Sequence, residues 1–244
     1  MKKKALVTIA AIFLLAATVS AQSKWKYEFG LGGSLNSGNV SNMGFKTNAN
    51  IDRNDSILAF NANARYLYTS EKEVTTNEGW GGGIKFDIHQ YDRWSPFFAS
   101  EFISNHFKGY DFKISFLGGV KYRILCSPGK YDYSISAALV GDYVNYYVTE
   151  PTADTLDGVV MRVSLRGKIK QSIGENTKLN HTTFWQPSVT DFGDYLVTSI
   201  TKIENKLNKH LFFDVIFEYE YRSVVPEGRK NYDIATEVAL RLKF

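Results

Sequence analysis

The chain contains one cysteine, Cys126, and only five prolines among its 244 residues. A single cysteine excludes an intramolecular disulfide, and the scarcity of proline leaves long segments free to form uninterrupted strands. After residue 21, no apolar run approaches the roughly 20 residues that a transmembrane helix requires, because charged or amide side chains interrupt each run. The sequence therefore excludes a disulfide-stapled scaffold, and it excludes a bundle of membrane-spanning helices after residue 21.

The amino-terminal segment has the pattern of a secretory signal peptide. Residues 2–4 are lysines, an apolar stretch follows, and small residues stand at Val19 and Ala21, as signal peptidase requires. The apolar stretch is shorter than a retained anchor helix would be. We expect cleavage after Ala21, which assigns residues 1–21 to a signal peptide and the protein to an exported location. Cys126 lies far from that point, so it cannot become a lipid-modified amino-terminal cysteine.

The apparent basicity of the chain is largely a property of this leader. The formal net charge is +4, from 29 Lys and Arg against 25 Asp and Glu. Removal of residues 1–21 takes away three lysines and no acidic residue, which leaves 26 against 25 and a net charge of +1. Bulk charge thus gives no reason to expect a nucleic-acid partner.

Alternation of apolar and polar residues runs through almost the whole chain after the leader. In segment 112–124, Phe112, Ile114 and Phe116 alternate with polar residues, which predicts a strand with one apolar and one polar face. Comparable segments are 25–36, 43–51, 56–70, 80–88, 95–107, 131–148, 159–169, 177–189, 194–206, 211–221 and 233–244. Together they predict about twelve strands, and single-chain bacterial outer-membrane barrels have an even number.

Strand length and charge pattern favour a membrane barrel over a soluble sandwich. Strands of soluble proteins average about five or six residues, whereas a strand that crosses a bilayer at a tilt needs about 9–11, as these segments provide. Charged residues recur on one face and almost never on the other, as a polar lumen requires. Unpaired backbone groups are costly in hydrocarbon, so the sheet must close. We predict an all-β fold, a transmembrane antiparallel β-barrel of about 12 strands, with residues 22–244 as one outer-membrane β-barrel domain.

The connections give an independent indication of a barrel with both termini in the periplasm, since periplasmic turns are short and external loops longer. The even-numbered connections are tight, at 53–55, 90–93, 127–130, 174–176 and 207–209. Most odd-numbered connections are longer, at 70–76, 107–111, 149–157 and 223–231, although the first, at 37–39, is short. Aromatic residues near the strand ends, among them Trp25, Trp94 and Trp185, predict two interfacial girdles.

Charged residues on the inward face are the candidate functional residues. The lumen-lining candidates are Lys85, Arg123, Arg162, Arg166, Lys168, Lys170, Asp214, Glu218, Glu220 and Arg222. The densest basic patch, Arg162 to Lys170 on one strand, predicts a narrow pore that passes small solutes or ions and prefers anions. Acidic residues such as Asp214 and Glu218 leave a second interpretation open, a structural envelope barrel with a closed, ion-paired lumen. Twelve strands lie between the about eight that side chains fill and the about 16–18 of an open channel.

Glycines alternate at Gly79, Gly81 and Gly83 on the inward face of one predicted strand, and Gly30 and Gly32 face inward on the first. They either clear a path for solute or allow the barrel wall to bend locally. We favour bending, the ordinary role of glycine in a strand.

Two further functions are alternatives. An outer-membrane phospholipase places Ser, His and Asn on its outer wall, and here His181 and Thr183 share one facing. No serine lies two residues from that histidine, however, and threonine is an uncommon nucleophile. A surface receptor would use loops 149–157 and 223–231, which are modest in length. Without metal-ligand spacing, a phosphate loop or a paired-carboxylate signature, we expect no catalytic residues, no metal and no cofactor.

Three segments resemble the domain-of-unknown-function 481 family (DUF481), whose members are often described as salt-induced outer-membrane proteins. They are SLNSGNVSNMGFKTNANI at 34–51, YDRWSPFFASEFISNHFKGYDFKISFLGGVKYRIL at 91–125 and VALRLKF at 238–244. The likeness spans about Gly30 to Phe244, and it implies an outer-membrane β-barrel without established catalytic residues. Terminal Phe244 resembles the aromatic ending by which such barrels are recognised for assembly. The expected partners are therefore outer-membrane lipid and the barrel-assembly machinery, together with small solutes or ions.

Overall fold

A computed structural model describes residues 24–37, 42–71, 74–105, 110–146, 158–225 and 230–244. These residues form twelve strands: β1 (Trp25–Ser37), β2 (Asn42–Arg53), β3 (Leu58–Glu71), β4 (Val74–Ile88), β5 (Trp94–Asn105), β6 (Tyr110–Ser127), β7 (Tyr131–Tyr146), β8 (Gly158–Ile173), β9 (Thr177–Pro187), β10 (Tyr195–Lys206), β11 (Leu211–Arg222) and β12 (Tyr232–Lys243). Every strand pairs antiparallel with its sequence neighbours, and β12 returns to β1. The predicted closed antiparallel barrel of about 12 strands is confirmed. The predicted signal peptide, residues 1–21, lies outside the described residues.

The described ranges contain no helix with the length and the apolar composition needed to cross a membrane.

The seam between β1 and β12 is fully paired. Leu31 stands opposite Leu240 in the register, and the backbone N–H of Phe244 donates to the carbonyl of Tyr27 at 2.9 Å. The N–H of Tyr27 returns a hydrogen bond to the carbonyl of Phe244 at 3.1 Å. Closure leaves no open edge, which hydrocarbon would not tolerate.

The alternation of the sequence separates an apolar outer wall from a polar interior. Leu31 and Leu240 keep 63% and 51% of their surface exposed, whereas the charged side chains of Arg241 and Asp214 are buried at 4% and 2%. A soluble protein would show the opposite distribution. The outer wall instead suits a hydrocarbon environment, where exposed apolar side chains carry no hydrophobic penalty.

The barrel has two unlike ends. The turn end carries both described termini and the short connections 54–57, 89–93, 128–130, 174–176 and 207–210. Gly129 and Gly174 adopt φ values of +77° and +74° in two of these turns, a conformation that side chains disfavour. The loop end includes connections 188–194 and 223–231.

One predicted loop is wrong. Strand β3 ends at Glu71 and strand β4 begins at Val74, so only residues 72–73 separate them. The longer connection that was expected at 70–76 is therefore replaced by a continuation of the paired strands. The sequence SEKEVTT at 70–76 was predicted to be a loop because the alternation of apolar and polar residues is lost there. The proposed receptor loop at 149–157 lies outside the described residues.

Aromatic side chains form clusters near both ends of the outer wall. At the turn end, Trp25 packs edge-on against Phe60, with ring centroids 5.9 Å apart. Near the loop end, Trp80 packs against Phe102 at 4.8 Å, and Phe102 stacks with Phe112 at 6.2 Å. Aromatic side chains near the strand ends suit the interface between hydrocarbon and water, and the indole N–H of Trp25 and Trp80 can meet its polar side.

The glycines of β4 allow close approach of neighbouring backbones. A Cβ atom on Gly81 would lie 2.6 Å from the carbonyl oxygen of Phe102, and one on Gly83 would lie 2.9 Å from that of Ser100. Both contacts are shorter than real Cβ atoms allow, so any side chain would force β4 and β5 apart. Their role is thus to shape the wall.

Candidate functional site in the lumen

The basic residues of β8 lie at alternate positions of one strand that spans the barrel from the loop end to the turn end. Arg162, Arg166, Lys168 and Lys170 face the interior, while Leu165 and its alternating neighbours face outward. The four cations nevertheless have different surroundings, and the structure divides them into three groups.

Arg162 is bound by acceptor groups at the loop end of the barrel. Its guanidinium donates to the Asp194 carboxylate at 2.7 Å and to the backbone carbonyls of Gln186 and Asp194 at 3.2 Å each. Arg162 also forms a backbone bridge with Ser188. This arginine therefore fastens the β9–β10 connection to the wall, and its charge is neutralised.

Arg166 reaches across the interior from β8 to β5. Its guanidinium carbon lies 5.4 Å from the ring centroid of Phe97 and 6.0 Å from that of Phe184 on β9. The Lys85 ammonium approaches the Phe97 ring at 5.3 Å, and that lysine also pairs with Asp87 at 2.6 Å. Phe97 thus sits between two cations and narrows the lumen. We call Phe97, Arg166 and Lys85 the constriction.

Lys168 and Lys170 follow Arg166 towards the turn end. Within the described residues neither makes an ion pair, whereas the carboxylates of the neighbouring strand β7 are already engaged. Asp132 pairs with Arg123 at 3.2 Å, and Asp142 pairs with Lys113 at 2.8 Å. The amino groups of these two lysines therefore face the lumen without an ion-pair partner among the described residues.

A cavity of about 400 Å³ opens at the turn end beneath these lysines. Its charged lining side chains are Arg123, Lys130, Lys170, Lys178, Lys243, Asp132 and Glu204. Five cations against two carboxylates give it a positive potential. A solute that enters here meets Lys170 first and then Lys168 on the way to the constriction.

The wall formed by β10, β11, β12 and β1 carries carboxylates that are neutralised by cations of the same wall. Arg241 donates to Asp214 at 2.7 Å and to Glu28 at 2.8 Å, and it also binds Glu204. Lys202 adds a second cation at 2.7 Å from Asp214. The carboxylates of this cluster are therefore satisfied along the wall and do not cross the lumen to Lys168 or Lys170.

Arg241 lies at the centre of this ion-pair cluster, and the sequence analysis did not single it out. Its guanidinium lies 5.0 Å from the ring of Phe212 on β11, and its register partner on β1 is Gly30. This register joins the first and last strands, so the neighbourhood of Arg241 becomes visible only when the closure of the barrel is known.

The remaining candidates lie on β11 and β6. Glu220 accepts a hydrogen bond from Arg222 at 2.7 Å near the loop end, and Glu218 occupies the next inward position along the strand. Arg123 donates to the carbonyls of Tyr91 and Gln90 at 2.6 and 2.9 Å, so it also fastens the β4–β5 turn. The acidic residues Asp214 and Glu220 thus pair with near neighbours.

Outside the lumen, His181 lies on the outer wall of β9. Its Nε2 atom is 3.0 Å from the Thr183 hydroxyl, and its Nδ1 atom is 2.9 Å from the Thr201 hydroxyl on β10. Both ring nitrogens are therefore engaged. Among the described residues no group of His, Cys, Asp and Glu has the arrangement of a metal site.

Comparisons with known proteins agree with this architecture. A family model with the description "Protein of unknown function, DUF481" matches residues 29–244. No curated protein matches the chain in sequence. The NanC porin, solved in a rhombohedral crystal form, has a TM-score of 0.60 at 10% identity, and the match covers 88% of this chain and 100% of that one.

Two further solved barrels are similar. The translocator domain of the autotransporter NalP from Neisseria meningitidis gives a TM-score of 0.53 at 12% identity, covering 100% of this chain and 98% of that one. The KdgM porin in complex with disordered oligogalacturonate gives a TM-score of 0.51 at 10% identity, and the match covers 89% of this chain and 99% of that one. At such identities the likeness establishes the outer-membrane β-barrel fold.

Proposed function

Because the chain belongs to the DUF481 family, whose description assigns no activity, we propose a function from the barrel itself: an outer-membrane channel that passes small anions. The observation that carries the proposal is the pair Lys168 and Lys170, which face the lumen without an ion-pair partner among the described residues. Buried or confined cations attract anions strongly when no protein carboxylate competes. Transport, rather than catalysis, is the role that we assign to the chain.

The arrangement of the cations suits a conduction path. The cavity at the turn end concentrates anions, Lys168 and Lys170 bind them in sequence, and Arg166 at the constriction presents a cation held in place by two aromatic rings. Conduction requires sites that bind well enough to enter and weakly enough to leave. Lysines on flexible stems meet that requirement better than a rigid arginine clamp.

The direction of the path follows from the barrel ends. Short turns and both termini of such barrels face the periplasm, so the positive cavity opens to the periplasm and the constriction lies above it. The description of the KdgM porin names an oligogalacturonate, an anionic saccharide. Small carboxylates and acidic sugars are therefore the first solutes to compare with chloride.

Export and assembly complete the proposal. The leader at residues 1–21 is removed, and Phe244 at the end of the seam serves as the aromatic signal for the barrel-assembly machinery. Phe244 is stacked on His210, with ring centroids 5.6 Å apart. The barrel then resides in outer-membrane lipid of a Gram-negative envelope and needs no cofactor.

The decisive test is the conductance of the refolded protein in planar bilayers. Stepwise currents should appear, and the reversal potential in a KCl gradient should report preference for chloride. The double variant Lys168→Gln/Lys170→Gln should lose that preference, whereas Lys209→Gln, in an exposed turn, should keep it. Correctly folded protein that stays silent at all voltages would contradict the channel and support the structural barrel with a closed lumen.

A further inference from the structure

A groove of about 820 Å³ crosses the outer wall of β5 to β9. Its volume lies within the range of about 300–1,000 Å³ that small-molecule sites occupy. It runs along one row of paired residues, from Trp94 through Tyr122 and Ile135 to Gly167 and Thr183. Because Trp94 begins β5 at the turn end and Thr183 lies well inside β9, the groove climbs from the turn end into the apolar belt.

Small outward residues form the floor of this groove. A Cβ atom on Gly167 would meet no atom within 4 Å, so the notch there is open rather than filled by a neighbour. Ala137, the register partner of Leu165, is the second small residue. The larger side chains of Ile135, Leu165 and Trp185 stand around them as walls.

The lower end of the groove carries a cation in an aromatic setting. Trp94 and Tyr122 pack with ring centroids 4.6 Å apart, and the Arg93 guanidinium lies 5.1 Å above the Tyr122 ring. Arg93 is exposed on the outside of the barrel. Because Arg93 lies at the turn end beside an aromatic pair, we expect its guanidinium at the level of the lipid headgroups, and arginine binds phosphate in a bidentate way.

We propose that this groove is a binding site for one glycerophospholipid of the periplasmic leaflet, with an acyl chain over Gly167 and the phosphate on Arg93. The apolar walls open to hydrocarbon, which selects an acyl chain, and the exposed guanidinium of Arg93 at the turn end selects an anionic headgroup. Lipid A would place its phosphates at the loop end, away from Arg93. The site requires a barrel in the membrane but not an open lumen, so it stands or falls separately from conduction.

Quenching of tryptophan fluorescence tests the site, because two of the four tryptophans line it. The refolded barrel in detergent micelles is titrated with phosphatidylglycerol that carries dibrominated acyl chains. Variants that retain only Trp185 or only Trp80 are compared, since Trp80 lies on β4 outside the groove. We expect saturable quenching of Trp185, and quenching of Trp80 that only follows the bulk mole fraction of lipid.

Substitutions then separate the two parts of the lipid. Gly167→Phe should raise the half-saturating lipid fraction at least about tenfold, as loss of a filled apolar pocket does. Gly33→Phe, a substitution at an outward glycine of β1 whose nearest atom lies at 3.7 Å, should leave it unchanged. Arg93→Gln should weaken the binding of brominated phosphatidylglycerol. It should not weaken the binding of brominated diacylglycerol, because that lipid lacks the phosphate.

Several outcomes would overturn the proposal. Parallel, unsaturable quenching of Trp185 and Trp80 would show ordinary solvation by lipid. Equal effects of Gly167→Phe and Gly33→Phe would remove the groove as the cause. Stronger competition by lipid A than by unbrominated phosphatidylglycerol would reject the assigned lipid. Heat-dependent gel mobility checks that every variant is folded.

Discussion

Arg166 of β8 and Phe97 of β5 meet across the lumen, with the guanidinium carbon 5.4 Å from the ring centroid. The two strands are separated by β6 and β7 in the wall, so the contact spans the interior. Phe97 is 4% exposed, which means that cations and neighbouring wall enclose it almost completely. We expect this pair to form the narrowest point of the proposed path, because both side chains project into the lumen.

Removal of the Phe97 ring should widen that point. We expect Phe97→Ala to raise single-channel conductance roughly twofold, because the ring and the arginine together restrict the lumen. Phe98→Ala, one residue along, removes an outward ring of similar size that is exposed to lipid and should leave conductance unchanged. Planar-bilayer recordings of both variants provide the comparison, and identical currents would place the narrowest point elsewhere.

The Arg241 cluster should dominate the stability of the interior. Arg241→Met removes the cation shared by Asp214, Glu28 and Glu204. Lys202 and Lys243 still pair with Asp214 and Glu28, but removal of one partner from a buried ion-pair network costs about 3–5 kcal/mol. Arg65→Met removes a half-exposed pair with Glu101 and should cost less than about 1 kcal/mol. Urea unfolding in lipid vesicles measures both. Equal losses would mean that water reaches the Arg241 cluster freely.

Curvature between β4 and β5 should depend on Gly81. Gly81→Val places a branched side chain where even a Cβ would lie 2.6 Å from the Phe102 carbonyl, and overpacking of this kind costs about 1–3 kcal/mol. We expect a lower yield of heat-modifiable, folded barrel. Gly167→Val, where a Cβ meets open space, is the matched control. Normal folding of the Gly81 variant would show that β4 can shift outward without penalty.

The lipid-facing cluster around His181 should be structural. Thr183 and Thr201 satisfy both ring nitrogens, so His181→Ala loses hydrogen bonds worth about 0.5–1.5 kcal/mol each and should leave conductance intact. Phospholipid vesicles carrying the native protein should release no fatty acid. Hydrolysis that disappears in His181→Ala and in Thr183→Val would instead establish the phospholipase alternative.

A pH effect should arise at the turn end. The hydrogen bond from the Lys24 ammonium to the Asp55 carboxylate at 3.0 Å holds the pKa of Asp55 below its ordinary value of 3.8. A lowered pKa stabilises the fold above that ordinary value, and the contribution vanishes as pH falls through the lowered pKa. Urea midpoints of native protein and Asp55→Asn should differ slightly at pH 7 and converge at strongly acid pH. A difference that persists in acid would assign the effect to another interaction.

The sequence predicted the wall well because alternation is a local property. β12 illustrates this, since Val238 and Leu240 face outward and Glu237 and Arg241 face inward, as period-two patterning requires. The Phe97–Arg166 contact was not predictable, because it depends on how closure brings strands across the lumen. The sequence analysis grouped Arg162 with the other basic residues of β8 because its partner could not be seen. That partner, Asp194, lies in the connection between β9 and β10, and strand patterning does not predict where a connection folds.

The seam between β1 and β12 has a consequence for how material can leave the barrel. Glu28 on β1 binds both Arg241 and Lys243 on β12, and these pairs reinforce the backbone ladder between first and last strands. Parting the two strands would expose a carboxylate and two cations at the edge of the hydrocarbon. Ion pairs as well as backbone hydrogen bonds therefore hold the seam closed, and lateral escape from the lumen into the bilayer is disfavoured there.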